Sequence, residues 1–312
     1  MKHNQLFKIL PICVVGTTLM VSIPIIVACS NDEYLGKLDR AHFFVNTTKT
    51  RMGEPDLYQH MYKWMTDDIN HRLLFIGLDG VRPDAVIKLA KDDSTSIFQQ
   101  YKSQGETLLG FCGGLDHSQV TSTSPGWTSL LTGEWGTVNG VTTNNADTVL
   151  KAGHHTIMNN LAAVGCSTSY SSSQWKWEQT WWTDFDSETS TPIQPNYSFY
   201  QDDDGHPDQE IIVNQIKSRI DAGVKANFVI LDACDNVGHS SGFSPNNSAY
   251  MKALKQNDQD IKNLITEQAS VGTSDENLLV VLTTDHGGKG SGHGKFSDEE
   301  ITTWYALNKN II

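Results

Sequence analysis

The sequence predicts an α/β fold, in which helices cover both faces of a mostly parallel central sheet. Short uninterrupted apolar runs recur along the chain, bounded by turn residues and too short for buried helices. Segments of helical periodicity separate them, and strand–helix alternation is the pattern of a parallel sheet. Acidic residues and histidines follow three of the runs directly, where ligands bind in open sheets of this kind.

At the N-terminus, Lys2 and Lys8 precede a nearly uncharged run from Ile9 to Ala28. This is a basic n-region followed by an apolar h-region, the form of an export signal. The residues I-V-A-C, Ile26 to Cys29, resemble a bacterial lipoprotein cleavage box, which implies lipidation at Cys29. The alternative is a retained signal anchor, which the run is just long enough to form, although Pro11 and Pro24 weaken it as a helix. Both place the remaining chain outside the cytoplasm and attached to a membrane. Residues 30–68 are mixed and polar, a tether followed by a peripheral helix, and 69–312 form the expected catalytic domain.

Within that domain, R-L-L-F-I-G-L (Arg72 to Leu78) is the first buried strand, and Asp84 to Ser103 has helical periodicity. Pro125 to Thr132 reads as a helix with proline in its first turn, which makes Ser124 the expected N-cap. His155 to Val164 is helical, and a strand begins near Cys166. Ile211 to Ala222 is a helix, Ala226 to Leu231 a strand and Ala249 to Gln268 a long helix. Asn277 to Thr284 (N-L-L-V-V-L-T-T) is a strand buried on both faces, and T-T-W-Y-A-L near the C-terminus is strand-like. Residues 174–208 break the pattern and read as an insertion over one end of the sheet. They hold the tryptophan-rich W-K-W-E-Q-T-W-W, a small satellite core or a wall for substrate. The acidic D-D-D-G from Asp202 lacks the spacing of a calcium loop and reads as a solvated turn.

A net charge of −13 argues against binding to nucleic-acid duplexes, but bound cations could still admit a phosphate substrate. After Cys29 only Cys112, Cys166 and Cys234 remain, without C-x-x-C spacing, so neither a disulfide framework nor a thiolate zinc site is expected. The sequons at Asn46, Asn196 and Asn246 matter only in a eukaryotic secretory pathway.

The chemistry sits after the strands. Asp79 follows Leu78. Asp235 and His239 lie in D-A-C-D-N-V-G-H after Leu231. Asp285, His286 and His293 lie in D-H-G-G-K-G-S-G-H-G after Thr284. Three strand ends therefore bring carboxylates and imidazoles to one rim, where unpartnered charges would be costly and metal ions are natural partners. Mixed Asp and His ligands without thiolate suit catalytic zinc. Singly, each residue has a plainer explanation as a helix cap or a hydrogen-bonded histidine. Their joint placement beside the hydroxyl-rich T-S-T-S-P loop is the specific signal.

With these motifs the chain resembles the alkaline phosphatase superfamily, in its type I phosphodiesterase and nucleotide pyrophosphatase branch, from about Leu73 to His293. The resemblance implies an alkaline-phosphatase-like three-layer sandwich holding two divalent metal ions, zinc in the family. One would take Asp235, His239 and His293; the other would take Asp79, Asp285, His286 and the Thr123 oxygen. Thr123, in T-S-P, falls on the family's nucleophile, which forms a phosphothreonine intermediate. Asn144, in G-V-T-T-N, falls on its phosphate-contacting asparagine. The implied substrate is a small phosphodiester or nucleotide-type molecule.

Two departures stand out. Gly126 and Trp127 replace the asparagine and histidine common after the proline, and Trp127 is expected to contact substrate. Relatives also continue through a further helix, so the chain is expected to be a minimal or shortened version. A sulfatase is disfavoured, because Thr123 cannot give its formylglycine. A phosphomonoesterase or phosphonate hydrolase on the same scaffold stays open. So does a non-catalytic ligand-binding surface lipoprotein, which the complete ligand set argues against.

Overall fold

The computed structural model describes residues 31–145, 147–172, 196–199 and 209–312. The export signal, Cys29 and the tryptophan-rich stretch lie outside the described residues.

The strands are β1 (Met52–Gly53), β2 (Arg72–Leu78), β3 (Glu106–Phe111), β4 (Thr168–Ser172), β5 (Asn196–Phe199), β6 (Ala226–Leu231), β7 (Leu278–Thr283) and β8 (Thr302–Leu307). The main helices are α1 (Asn31–Ala41), α2 (Asp56–Asp67), α3 (Pro83–Asp92), α4 (Ile97–Gln104), α5 (Thr123–Thr132), α6 (Gly136–Asn139) and α7 (Ile157–Ala163). After them come α8 (Gln209–Asp221), α9 (Ala233–Ser241), α10 (Ser248–Ser270) and α11 (Asp298–Ile301). The described strands form one sheet in the order β1-β3-β8-β7-β2-β6-β4-β5. Neighbours run parallel except that β8 is antiparallel to both β3 and β7.

Alternation along β2 divides the core. Leu74, Ile76 and Leu78 face α1, α3, α4, α8, α9 and α10, while Leu73 and Phe75 face α2, α5 and α7. Both faces are covered, so β2, β6 and β7 carry near-continuous apolar runs. Each such side chain contributes about 1.5–3 kcal/mol relative to exposure. This is the expected α/β fold with a mostly parallel sheet.

Several local expectations need correction. The helical stretch from Asp84 to Ser103 is two helices. Asp93 Oδ1 accepts from Thr95 N and Oγ1, and Ser96 caps α4 by accepting from Phe98 N, so side chains compete with the helix for backbone groups. Ser122, not Ser124, is the N-cap residue of α5; Thr123 and Ser124 are already helical. The region before Asp68 is more than a tether and one helix: Leu38 of α1 and Leu57, Met61 and Met65 of α2 are buried in the two core layers. Within the expected insertion, Asn196–Phe199 is strand β5, paired with β4. Cys112 and Cys234 are buried free thiols, and Cys166 is a partly exposed one. Among the described residues no helix is long and apolar enough to cross a membrane.

Candidate metal centre

Parallel β2, β6 and β7 end together, and each delivers side chains just beyond its last residue. Asp79 continues β2 by one ladder bond, its N–H donating to Leu231 O at 2.9 Å. Asp235 and His239 sit four residues apart on α9 and so share one face. Asp285 and His286 follow β7, and His293 returns on the next loop.

Asp79, Asp285 and His286 are fully buried and Asp235 nearly so. Asp235, His239 and His293 form one group able to hold a metal ion, and Asp79, Asp235 and His286 form a second. Asp235 is common to both: Oδ2 lies 3.3 Å from His239 Nε2 and Oδ1 3.6 Å from His293 Nε2. His286 Nε2 lies 3.3 Å from Asp79 Oδ1 and 3.4 Å from Asp285 Oδ2. Asp285 thus adjoins the second group without belonging to its tightest set.

The three imidazoles are held in one tautomer. Nδ1 of His239, His286 and His293 contacts a backbone carbonyl, of Ser291 (3.1 Å), Gly287 (2.8 Å) and Thr121 (3.0 Å) respectively. A carbonyl only accepts, so each Nδ1 carries the proton and each Nε2 turns a lone pair toward the carboxylates. His239 and His293 even bring their Nε2 atoms within 3.0 Å of each other. Asp235 Oδ1, Asp285 Oδ2 and His286 Nε2 are buried without a hydrogen-bond partner. Lone pairs facing buried carboxylates make this a candidate cation site, and its donor set is of the kind zinc takes.

The electrostatics agree. Burial, together with the charges of Asp79 and Asp235, pushes the Asp285 carboxyl well above the ordinary range. Burial also raises Asp235, but the adjacent imidazole of His239 and those of His286 and His293 outweigh this and hold it low. Burial and neighbouring His293 push His286 down to about 3, so it stays neutral and can ligate. Burial lowers His293 as well, whereas the adjacent Asp235 carboxylate raises His239.

The first turn of α5 is stitched to these loops. Thr121 accepts from His293 through its carbonyl, and its hydroxyl donates to Lys295 O at 2.5 Å. Gly126 packs so closely on Asp285 that a Cβ would lie 2.8 Å from its carbonyl oxygen. Trp127 Nε1 donates to Asp79 Oδ2 at 3.1 Å. Thr123 is bracketed by these contacts and buried. Asn144 Oδ1 accepts from Ser124 N at 2.9 Å, which sets its amide beside the helix start. Trp127 departs from expectation. It is 1% exposed and its indole donates to Asp79, a member of the candidate metal group, so it presents almost no surface to solvent. Sequence reasoning missed this role; its signal was Gly77, a glycine inside a strand, where a Cβ would lie 2.7 Å from Cζ3 of the Trp127 ring.

Beside His293 opens a cavity of about 420 Å³, lined by Lys289, Ser291, Gly292, Lys295, Ser297 and Glu300. Lys289 pairs with Glu299 at 3.2 Å, and the Glu300 carboxylate is taken up by Lys295 N, Ser297 N and Ser297 Oγ.

No protein-family profile and no curated protein matches the chain. Solved structures do. Murine ectonucleotide pyrophosphatase/phosphodiesterase 5, in an inactive threonine-to-alanine form with AMP, aligns with TM-score 0.53 at 16% identity, over 70% of this chain and 57% of that one. A 2-O glycosaminoglycan sulfatase aligns with TM-score 0.53 at 12% identity, over 77% and 64%. The human counterpart of the first aligns with TM-score 0.51 at 14% identity, over 69% and 57%. The chain has the alkaline-phosphatase-like fold. No single family within that fold stands out, since phosphodiesterases and sulfatases align equally well. The chain spans less than two thirds of the length of these proteins. Acids and histidines lie at the carboxyl ends of the strands, the ligand-binding rim of open α/β sheets.

Proposed function

We propose that the chain is an exported, membrane-attached hydrolase that cleaves phosphodiester or pyrophosphate bonds at a two-zinc site, with Thr123 as nucleophile. The observation that carries this reading is the convergence of three Nε2 lone pairs and three buried carboxylates beside the first turn of α5. Asp235, His239 and His293 would hold one ion; Asp79, Asp285 and His286, with the Thr123 hydroxyl, would hold the other. When bound, the ions supply charge neutralisation of the phosphate, a lowered pKa for coordinated hydroxyls and stabilisation of the leaving oxygen.

The chain's own groups do the rest. Thr123 Oγ1 would attack phosphorus in line, giving up its hydroxyl proton to solvent, as the P–O bond to the leaving group breaks and phosphothreonine forms. Water then cleaves that ester from the opposite side, releasing the phosphoryl product and restoring the hydroxyl. The Asn144 side-chain NH2, held beside the helix start by the bond from Ser124 N to its Oδ1, would face a nonbridging oxygen. The helix N-terminus also favours the negative charge that develops there. A pyrophosphatase-like protein with threonine replaced by alanine, inactive and holding AMP, supports both the nucleophile and the substrate class. The cavity beside His293 would receive the group attached to the phosphate.

The test compares kcat/KM for bis-p-nitrophenyl phosphate and p-nitrophenyl phosphate, with metal content measured on the same sample. Preference for the diester and two zinc ions per chain is expected. Preference for the monoester would move the chain to phosphatase chemistry on the same site. Thr123→Ala should abolish turnover and retain metal; turnover at the unsubstituted rate would remove Thr123 from the mechanism.

A further inference from the structure

Phe243 stands where the ligand-bearing loops meet. Its ring is buried, and glycines from three separate segments close on it. A Cβ on Gly80 would lie 2.9 Å from ring atom Cε1, one on Gly238 2.5 Å from Cζ and one on Gly288 2.6 Å from Cδ1. Gly80 follows Asp79, Gly238 precedes His239, and Gly288 lies two residues after His286. The ring also meets His239 edge to face at 5.4 Å between centroids and His293 at 6.0 Å.

The backbone around this ring is tied to the same loops. Phe243 N donates to Gly290 O at 2.7 Å. Arg82 Nη1 donates to Phe243 O at 2.9 Å and to Gly288 O at 3.3 Å, while its Nε and Nη2 pair with Asp84 at 3.0 and 2.7 Å. Tyr250 Oη donates to Gly80 O at 2.6 Å and accepts from Arg82 N at 3.0 Å. These bonds fix where the ring sits, and the ring fixes how closely the three loops approach.

We propose that Phe243 is a positioning residue: its ring is the spacer that sets the separation of the Asp79, Asp235–His239 and Asp285–His293 segments, and through it the geometry in which a metal is held. The proposal rests on the metal reading above. An ordinary core phenylalanine is lined by side chains that can repack around a substitution. Here three backbones press on one ring, so a smaller side chain lets three ligand-bearing loops shift together. Edge-to-face contact also limits rotation of the His239 and His293 rings and keeps each Nε2 aimed inward.

The experiment loads the full chain with cobalt(II) and records the visible d–d spectrum, the cobalt affinity and the melting temperature. Phe243→Leu should weaken cobalt binding tenfold or more and shift the d–d bands, as loss of a group that orients ligands does. Gly238→Ala, which places a methyl against the ring, should also distort the spectrum. The Gly238→Ala, Phe243→Leu double variant should bind cobalt more tightly than Gly238→Ala alone, because the added methyl then has room. Should Phe243→Leu fail to fold, Gly238→Ala with its rescue still decides. Variants that lower the melting temperature yet keep cobalt affinity within twofold and the spectrum unchanged would overturn the proposal and leave the metal reading intact. Absence of cobalt binding by the unsubstituted chain would overturn the metal reading, and this proposal with it.

Discussion

Trp127→Phe separates two roles for this tryptophan. The change keeps an aromatic ring against Phe75, whose plane Trp127 meets nearly perpendicularly at 6.3 Å. It removes the Nε1–H that donates to Asp79 Oδ2 at 3.1 Å inside the core. A hydrogen bond to a buried carboxylate is worth about 1.5–3 kcal/mol. Three ring atoms fewer add about 2 kcal/mol of lost burial, so the destabilisation should be about 3.5–5 kcal/mol. Asp79 then loses one constraint on its orientation, and zinc affinity should fall by about 10–100-fold, measured by chelator competition. Gly77 supplies an internal control. Gly77→Ala should be poorly tolerated beside Trp127, whose Cζ3 would lie 2.7 Å from the new methyl, and better tolerated when combined with Trp127→Phe. Unchanged zinc affinity with a raised KM would refute this reasoning and return Trp127 to the substrate pocket.

Other expectations follow from the same geometry. Chelation should lower the melting temperature, because an ion present at about 100 times its Kd stabilises by about 2.7 kcal/mol; an unmoved melting curve would argue against bound metal. His239→Ala or Asp285→Ala should lose both metal and activity, read by elemental analysis beside turnover. Lys295→Ala should reduce kcat/KM about tenfold more for a substrate with an anionic leaving group than for bis-p-nitrophenyl phosphate, since Lys295 lines the cavity beside His293; equal losses would place the leaving group elsewhere. Glu54 is buried with neither oxygen hydrogen-bonded, and burial raises its carboxyl well above the ordinary range. The folded state therefore binds a proton that the unfolded chain releases near its ordinary pKa. Stability from this group is full below that value and declines as pH rises toward the folded one. Glu54→Gln should consequently stabilise the protein at pH 8 more than at pH 5, and equal melting shifts at the two values would refute this.

The central sheet was legible because β2, β6 and β7 are buried on both faces and so read as unbroken apolar runs. β3 was not. Glu106 and Gly110 interrupt E-T-L-L-G-F, and Gly110 is there because Tyr305 of neighbouring β8 lies against its backbone, a tertiary cause without a local trace. Ser122 and Ser124 are equally good caps by residue type, and the choice between them depends on Asn144, twenty residues away, which engages Ser124 N. The candidate ligands could be read because strand ends point one way in a parallel sheet, so position along the chain implies position in space. What the sequence could not convey was burial. Trp127 after a proline in a hydroxyl-rich loop resembles a pocket wall, and only the strand glycine opposite it hints at a seat within the core.

Strand β8 has a consequence for how the chain is made. It lies between β3 and β7, and Phe111 meets its partner Thr302 only about 190 residues later. At roughly 5–20 residues per second, synthesis leaves β1 and β3 without their place in the sheet for about 10–40 s. During that interval an unpaired strand edge on the emerging chain is open to association with other chains. The ligand loops, likewise, come from segments spread between Asp79 and His293, so no nascent fragment holds the rim. A chain built this way gains its metal-binding surface late and all at once. Its biogenesis would depend on being kept apart from like chains until β8 has been made.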